Sequence, residues 1–357
     1  MLTLFFLMTA FIADAQTAAK KISVIAYYAG NATGIDAYPV EKLTHIIFSF
    51  CHLKGNELNV DNRNDSLTIL HLVDLKKRNR ALKVILSIGG WGGCAPCSQV
   101  FSTHKGRKEF SRSVKQVSEY FKTDGIDIDW EYPAIEGYPG HQYMASDKQN
   151  FTALIRSLRN ELGDKYEISF AAGGLENFLL QSVEWDKIAP IVNKVNLMSY
   201  DLVNGNSTVT GHHTPLYSTE KQIESADNAI RFFDSIHFPL NKIVIGAAMY
   251  GRIFNVNNDA DNGLYQPGSF DQGISWKNFD KKMMQQQGYV YYWDDTAKAP
   301  YMYNKMLKKL FTYDDEQSMA FKTKYAVHKQ LSGIMFWQLG DDNPVNGLLD
   351  VIDKALH

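Results

Sequence analysis

Eight short apolar segments recur along the chain, and they constrain its fold more than any other feature. They cover residues 22–28, 45–50, 83–88, 125–130, 167–172, 194–200, 242–250 and 333–339. Their apolarity is continuous rather than alternating, which is typical of parallel strands that are covered on both faces. Helical periodicity marks several stretches between them, such as residues 105–122, 148–162 and 220–236. This repetition predicts an α/β fold, the (β/α)8 or TIM barrel.

One connection is too long for a single strand–helix unit. About 90 residues separate the start of the seventh segment from the start of the eighth. Residues 253–315 contain turns rich in Asn and Asp and the aromatic run 289–293, with little helical periodicity. We therefore predict a small α+β insertion at 253–315, after the seventh strand of a barrel formed by residues 16–252 and 316–357. Because barrel active sites lie at the carboxyl ends of the strands, we expect the insertion to form a wall of the cleft.

The fourth segment carries acidic residues at alternate positions. Asp127, Asp129 and Glu131 fall on one face of a strand, and the apolar residues between them fall on the other. Like charges this close cannot all stay ionised on a buried face, so a proton must be retained among them. A carboxyl group that stays protonated near neutral pH is what a general acid requires. The row therefore predicts a catalytic site.

Two other interpretations fit this row less well. Alternating carboxylates can bind hard cations, but calcium loops are rich in turn-forming residues, whereas bulky apolar residues separate these acids. A solvated run of charge would not alternate with such residues either. The three cysteines, Cys51, Cys94 and Cys97, supply too few ligands for a zinc site. We therefore expect neither a metal nor an organic cofactor.

Charge and the first residues narrow the class of protein. The formal net charge is −2, with 37 basic and 39 acidic side chains, so no nucleic-acid-binding surface is indicated. Residues 2–12 form an apolar run that is too short to span a bilayer, and Ala13-Asp14-Ala15 follows as a cleavage pattern. We predict a signal peptide at residues 1–15 and a secreted protein, either extracellular or periplasmic. No later segment is apolar enough to predict a membrane span.

The cysteine count suggests one disulfide and one free thiol in an exported protein. Cys94 and Cys97 have the spacing of a redox motif, but they follow a Gly-Gly-Trp-Gly-Gly loop rather than opening a helix. A structural staple of that loop is therefore favoured over redox chemistry, although the sequence leaves the pairing with Cys51 open.

Aromatic residues recur where the predicted strands end. Such residues are unusual there in a packing role, because half of that layer meets solvent. Their recurrence favours a binding cleft, in which ring faces can stack on sugar rings. The aromatic strand-end residues are Tyr27, Phe50, Trp91, Tyr250 and Trp337.

The acidic row also resembles a family signature. Residues 124–131 fill every position of Asp-x-x-Asp-x-Asp-x-Glu, the signature of glycoside hydrolase family 18, the chitinases and their relatives. The resemblance continues along nearly the whole mature chain. It includes Ser-Ile-Gly-Gly-Trp at 87–91, Met-Ser-Tyr-Asp at 198–201, Tyr-Gly-Arg at 250–252, Trp337, and Tyr-Asp-Asp-Glu-Gln-Ser at 313–318. One departure is Ala-Ala-Met at 247–249, where members often carry a proline and a bulky aromatic residue.

The resemblance implies a role for each catalytic position. Glu131 would protonate the glycosidic oxygen and later activate water. Asp129 would hydrogen-bond first within the acidic row and then to the acetamido nitrogen of the substrate, while Asp127 would lie deepest and restrain the charge of Asp129. Tyr200 would donate its hydroxyl to the acetamido group. Asp124 is expected to be structural.

The resemblance also implies a substrate and a mechanism. The substrate's own N-acetyl oxygen would attack the anomeric carbon and form an oxazolinium ion, so hydrolysis would retain configuration. Asp201 would contact the distorted sugar, and Trp337 would form the hydrophobic floor beneath it. The residues expected to line the rest of the cleft are Tyr27, Phe50, Trp91, Met198, Tyr250 and Arg252.

Three functions remain to be weighed. The favoured function is that of a monomeric exported chitinase acting on chitin or chitooligosaccharides. The second is that of an endo-β-N-acetylglucosaminidase acting on N-glycans, which is less favoured because such enzymes commonly lack an insertion after the seventh strand. The third is that of a non-catalytic chitin-binding lectin. It is disfavoured because such proteins typically lose the acid at the last motif position, whereas Glu131 is present.

Overall fold

The computed structural model describes residues 22–357, so the predicted signal peptide lies outside the described residues. The strands are β1 (Ser23–Tyr28), β2 (His45–Lys54), β3 (Glu57–Asn59), β4 (Lys83–Gly89), β5 (Gly125–Asp129), β6 (Glu167–Gly173), β7 (Lys194–Met198), β8 (Ile243–Ala248), β9 (Tyr250–Val256), β10 (Gly268–Ser275), β11 (Val290–Asp294), β12 (Ala299–Asn304), β13 (Lys309–Tyr313) and β14 (Gly333–Trp337). The helices are α1 (Arg63–Asp74), α2 (Cys97–Phe101), α3 (His104–Phe121), α4 (Asp147–Leu162), α5 (Glu176–Gln181), α6 (Trp185–Ile188), α7 (Ala226–Ser235), α8 (Lys281–Gln286), α9 (Glu316–His328) and α10 (Leu348–Leu356).

Eight parallel strands form a closed barrel. Their order is β1-β14-β8-β7-β6-β5-β4-β2, and β2 pairs again with β1. Ile25 of β1 is in register with His45 on one side and with Met335 on the other, so β1 closes the ring. The predicted (β/α)8 barrel is therefore confirmed.

A second sheet interrupts the barrel after its seventh strand, β8. It contains five antiparallel strands in the order β10-β9-β13-β12-β11. The short helix α8 lies between β10 and β11 in the chain. The predicted barrel fold is confirmed. The second sheet lies where an insertion is predicted, but it begins at Tyr250, so the predicted boundary between residues 252 and 253 falls inside β9.

Local sequence signals begin and end several of the barrel helices. The side chain of Asn62 caps α1, and that of Thr103 caps α3. Helix α3 ends at Lys122, whose φ of 62° lies in the left-handed region. Asp315 and Ser318 form a reciprocal capping box at the start of α9, where the chain returns from the insertion to the barrel. These caps fix where each helix turns the chain back toward the next strand.

Alternation along the strands separates two apolar layers. The larger layer lies between strands and helices and contains Ile126, Ile128 and Trp130, the apolar side of the acidic strand. The smaller layer fills the barrel interior and includes Tyr27 and Met335. The acidic residues of β5 therefore point into the barrel rather than toward the helices.

The cysteines pair as the loop staple. Cys94 and Cys97 form a disulfide, and Cys51 is a buried thiol. Cys97 is the first residue of α2, so the expectation that the pair does not open a helix is wrong. No helix within residues 22–357 is long and apolar enough to cross a bilayer.

Candidate active site

Asp127 lies at the bottom of the site and is held by side chains from four neighbouring strands. It is fully buried. Ser169 donates a hydrogen bond of 2.6 Å to its Oδ1, and Asn196 donates one of 3.0 Å to the same oxygen. Tyr27 and Ser87 each donate to Oδ2 at 3.0 Å. Burial raises the pKa of Asp127, and these donors oppose that rise.

Asp129 lies two residues further along β5 and has fewer hydrogen-bond donors around its carboxylate than Asp127 has. Its side chain is 4% exposed, and its Oδ1 has no hydrogen-bond partner among residues 22–357. The resemblance implies a hydrogen bond between Asp129 and another member of the acidic row, and Oδ1 takes part in none within the described residues. Burial raises the pKa of Asp129 well above its ordinary value, and the charges of Glu131 and Asp127 raise it further.

A pair of glycines lets the neighbouring strand approach this position. The φ angles of Gly89 and Gly90 are 109° and 81°, which favour glycine. A Cβ atom on Gly89 would lie 2.2 Å from the carbonyl oxygen of Asp129. That same oxygen accepts a hydrogen bond of 3.0 Å from the amide of Gly90. The two glycines therefore fix the backbone that carries Asp129.

Glu131 follows the end of β5 and is partly exposed to the cleft. Burial raises its pKa to about 8, and the negative charge of Asp201 contributes. At neutral pH the Glu131 carboxyl group therefore retains its proton. A general acid requires a carboxyl group of this kind.

Asp201 is ionised and clamped by a cation from the inserted sheet. Arg252 of β9 donates Nε to Oδ1 at 2.5 Å and Nη2 to Oδ2 at 2.6 Å. Burial alone would raise the pKa of Asp201, but the adjacent His213 imidazole and the hydrogen bonds and charge of Arg252 outweigh burial and hold the pKa well below its usual range. The insertion thus supplies a charged partner to a residue on the barrel.

Tyr200 presents a protonated hydroxyl group to the same region. Burial raises the pKa of Tyr200 well above 10, and the charges of Asp129, Asp201 and Glu131 add to the effect. Within residues 22–357 its hydroxyl has one hydrogen-bond partner, the sulfur of Met335 at 3.9 Å, and its ring lies edge-on to Tyr250 at 6.3 Å. The hydroxyl group therefore remains available to donate to a ligand.

Aromatic rings form the floor and the rim of the cleft. Trp337 stacks on Phe50 with ring centroids 5.6 Å apart, and its ring lies 6.0 Å from that of Tyr27. Trp91 stands at the rim with 46% of its surface exposed. Tyr132 supports it from below by an edge contact of 5.8 Å and a hydrogen bond of 3.1 Å to its carbonyl group. These rings offer flat apolar faces along the cleft.

The strand ends bring these side chains together around one cavity of about 1030 Å³. Ten of the twelve residues predicted from the sequence line it: Tyr27, Phe50, Trp91, Asp129, Glu131, Met198, Tyr200, Asp201, Arg252 and Trp337. The other two do not line it, because Asp127 lies beneath it and Tyr250 lies behind Tyr200 and Arg252. Asp124 is outside the site, where it accepts a hydrogen bond from the amide of Val84 and pairs with Lys76.

Sequence reasoning missed several supporting residues. Ser169 and Asn196 are polar residues within otherwise apolar strand segments, and that contrast is a signal that could have found them. His213 lies in a loop with no such signal, and Phe178 enters the cavity lining from α5. Within residues 22–357, no group of three or more His, Cys, Asp or Glu side chains is placed to hold a metal ion.

Comparisons with known proteins point to one family. The family model described as glycosyl hydrolases family 18 matches residues 23–342. Chitinase A1 from Niallia circulans is 34% identical over 298 residues, which are 77% of this chain and 42% of that protein. Chitinase 1 from Aphanocladium album is 30% identical over 336 residues, 84% of this chain and 76% of the relative. The chain thus spans less than half the length of the Niallia protein.

Two solved structures share this fold, and one of them is described as a family 18 enzyme. A glycoside hydrolase family 18 N-acetylglucosaminidase from Paenibacillus barengoltzii superposes with a TM-score of 0.84 at 31% identity, covering 94% of this chain and 100% of that one. Chitinase ChiA74 from Bacillus thuringiensis gives 0.85 at 26% identity, covering 94% and 70% respectively.

Proposed function

Because the chain belongs to family 18 of the glycosyl hydrolases, we propose that it is a chitinase that hydrolyses β-1,4-linked N-acetylglucosamine polymers or oligomers. Family membership confirms the predicted enzyme class, a glycoside hydrolase. The names of the four related proteins support the substrate, since three are chitinases and one is an N-acetylglucosaminidase.

Glu131 is the proposed general acid. Its raised pKa keeps a proton available at neutral pH, and its partial exposure places that proton at the surface of the cleft. It donates the proton to the glycosidic oxygen as the bond breaks. The carboxylate left behind then acts as a base toward the incoming water.

The main observation in favour of attack by the substrate's own acetamido group is the Asp129 oxygen that has no hydrogen-bond partner. A buried acceptor without a partner is costly, and a ligand that donates a hydrogen bond removes that cost. An acetamido N–H is such a donor. With Asp129 accepting from the nitrogen and Tyr200 donating to the acetamido group, the N-acetyl oxygen is positioned to attack the anomeric carbon.

The floor and the clamped carboxylate complete the sugar site. The apolar face of a sugar ring stacks on Trp337, which Phe50 and Tyr27 support. Asp201, ionised and fixed by Arg252, accepts from hydroxyl groups of the distorted ring. This combination of an aromatic floor, a buried acceptor and an ionised carboxylate supports an N-acetylhexosamine as the ligand.

Export is part of the same proposal. A signal peptide at residues 1–15 would deliver the mature chain to the medium or the periplasm, where chitin is accessible. The disulfide between Cys94 and Cys97 supports an oxidising compartment. N-terminal sequencing of the mature protein tests the cleavage site.

Hydrolysis of matched oligosaccharides tests the function. The mature protein, with and without Glu131→Gln, is incubated with the hexamer of N-acetylglucosamine and with the hexamer of glucosamine, which lacks the acetyl group. We expect cleavage of the acetylated hexamer only. We also expect a loss of at least about a hundredfold in the variant, because a positioned general acid contributes about 10² to 10⁴.

Three other outcomes would contradict the proposal. Equal cleavage of both hexamers would exclude assistance by the acetamido group. Binding of the acetylated hexamer without cleavage would favour a lectin. If the protein neither binds nor cleaves it but cleaves an N-glycan core, an endo-β-N-acetylglucosaminidase would take its place.

A further inference from the structure

His213 is a buried titratable residue to which the proposed chemistry gives no role. It lies in the loop that follows β7, and its side chain is 0% exposed. Neither ring nitrogen has a hydrogen-bond partner among residues 22–357. A buried polar group without a hydrogen-bond partner is rare in folded proteins, and the groups that lie beside the His213 ring indicate its role.

The backbone of His213 is fixed from two sides. Its carbonyl group accepts a hydrogen bond of 3.0 Å from the amide of Leu202, the residue after Asp201. Its amide donates to the hydroxyl of Thr312 at 3.0 Å. Thr312 lies directly opposite Arg252 in the pairing of β13 with β9. The loop is thus anchored to both partners of the Asp201–Arg252 ion pair.

The imidazole ring faces that ion pair. Its Nδ1 lies 3.5 Å from Oδ1 of Asp201, the oxygen that also accepts from Nε of Arg252. Its ring lies 5.3 Å from the ring of Tyr250, over which the guanidinium group of Arg252 also sits. This separation is a few tenths of an ångström longer than a normal N–H···O hydrogen bond.

We infer that His213 is a positioning residue, whose neutral Nδ1–H donates to Asp201 and, together with Arg252, holds that carboxylate toward Glu131 and the sugar. This inference rests on the proposed function. His213 does not touch the reacting atoms. It acts by fixing the direction and the effective charge of Asp201.

The charges around His213 are consistent with a neutral ring. Asp201 faces it from the loop after β7, Arg252 faces it from β9, and Asp314 lies beyond it at the end of β13. Asp314 is itself paired with the buried Lys322. Burial lowers the pKa of His213 and the cation of Arg252 lowers it further, while the two carboxylates oppose the change. A neutral imidazole has one donor, and Asp201 is the acceptor beside Nδ1.

Paired substitutions separate positioning from packing. His213→Asn keeps a side-chain N–H donor, whereas His213→Leu fills a similar volume without one. Against the hexamer of N-acetylglucosamine, we expect the Leu variant to lose at least about tenfold in kcat with less than about a threefold change in KM, as for an interaction used in the transition state. We expect the Asn variant to stay within about threefold of the native protein.

The pH profile gives a second readout. Without the donor, the full charge of Asp201 acts on Glu131 and favours its protonated form. The alkaline limb of kcat/KM for His213→Leu should therefore move to higher pH, while that of His213→Asn should not. If the Leu variant keeps both the native kcat and the native pH profile and loses only thermal stability, His213 is a packing residue and the inference is wrong.

A measurement without substrate separates this inference from the proposed function. Nitrogen-15 NMR of histidine-labelled protein, with the His213 signals identified by their loss in His213→Asn, reports which ring nitrogen carries the proton. We expect the Nδ1–H tautomer at neutral pH, and the Nε2–H tautomer would overturn the inference even if the Leu variant failed to fold. Failure of the native enzyme on the hexamer would reject the proposed function instead.

Discussion

Replacing Glu131 by glutamine should stabilise the protein, and the gain should depend on pH. The pKa of Glu131 in the folded protein is about 8, compared with an ordinary value of 4.5. Between these values the folded state binds a proton that the unfolded state has released. The free energy of unfolding of the native protein therefore falls as pH rises from about 4.5 to about 8. Above that range the loss of stability caused by ionising Glu131 has reached its full size.

The size of the effect follows from the shift. One pH unit corresponds to about 1.4 kcal/mol, so the shift of Glu131 sets an upper limit of about 5 kcal/mol. Glu131 is partly open to the cleft and titrates together with Asp129, so we expect a smaller gain of about 2 to 4 kcal/mol at pH 9. Glutamine matches the shape of the side chain but carries no charge at any of these pH values.

Urea unfolding of both proteins at several pH values between 4 and 9 measures this difference. We expect the variant and the native protein to have the same stability at pH 4 and to diverge as pH rises. Glu136→Gln controls for the loss of one negative charge, because Glu136 lines the cleft but is exposed. A difference between Glu131→Gln and the native protein that is constant over the whole pH range would refute the reasoning.

Three further perturbations test the framework around the site. Asp127→Ala should lower the free energy of unfolding by about 3 to 5 kcal/mol in urea, because it leaves buried hydroxyl donors without an acceptor; a loss below about 1 kcal/mol would contradict this. Lys322→Met should cost about 3 to 5 kcal/mol because it leaves Asp314 buried and unpaired, and adding Asp314→Leu should recover most of that loss if charge is the cause. Reduction of the bridge between Cys94 and Cys97 should cost about 2 kcal/mol, measured by unfolding with and without reductant, and an unchanged midpoint would show that the staple contributes nothing.

Sequence patterns predicted the barrel because its strands are buried on both faces. Continuous apolarity is the direct consequence of that burial, and each of the eight segments contains a barrel strand. Residues 242–250 show what an apolar pattern does not resolve. The barrel strand β8 ends at Ala248, and β9 of the inserted sheet begins at Tyr250 after a single residue. Both elements are extended and apolar, so periodicity could not separate them.

The residues that line the cleft could be predicted because the carboxyl ends of parallel strands converge. The hydrogen bonds and ion pairs among those residues could not be predicted in the same way. Asp201 and Arg252 lie 51 residues apart, and only the pairing of the inserted sheet brings them together. His213 carries no periodic or compositional signal, because its position depends on tertiary contacts with Thr312 and Leu202.

The lack of a hydrogen-bond partner for Oδ1 of Asp129 is likewise a property of the folded chain. Alternation places Asp127 and Asp129 on one face of the strand, but it does not distinguish the carboxylate that receives four donors from the one with a free oxygen. That difference depends on which side chains of β1, β4, β6 and β7 point toward each carboxylate. It is also what makes the two acids suited to different roles.

The anomeric configuration of the first products tests the central claim most directly. Proton NMR during the first minutes of hydrolysis of the N-acetylglucosamine hexamer records the newly formed reducing ends before mutarotation equalises them. Attack by the N-acetyl oxygen followed by water predicts that these ends appear as the β-anomer, with the configuration of the bond that was cleaved. Initial accumulation of the α-anomer would mean that water attacks directly, and it would contradict the roles proposed for Asp129 and Tyr200.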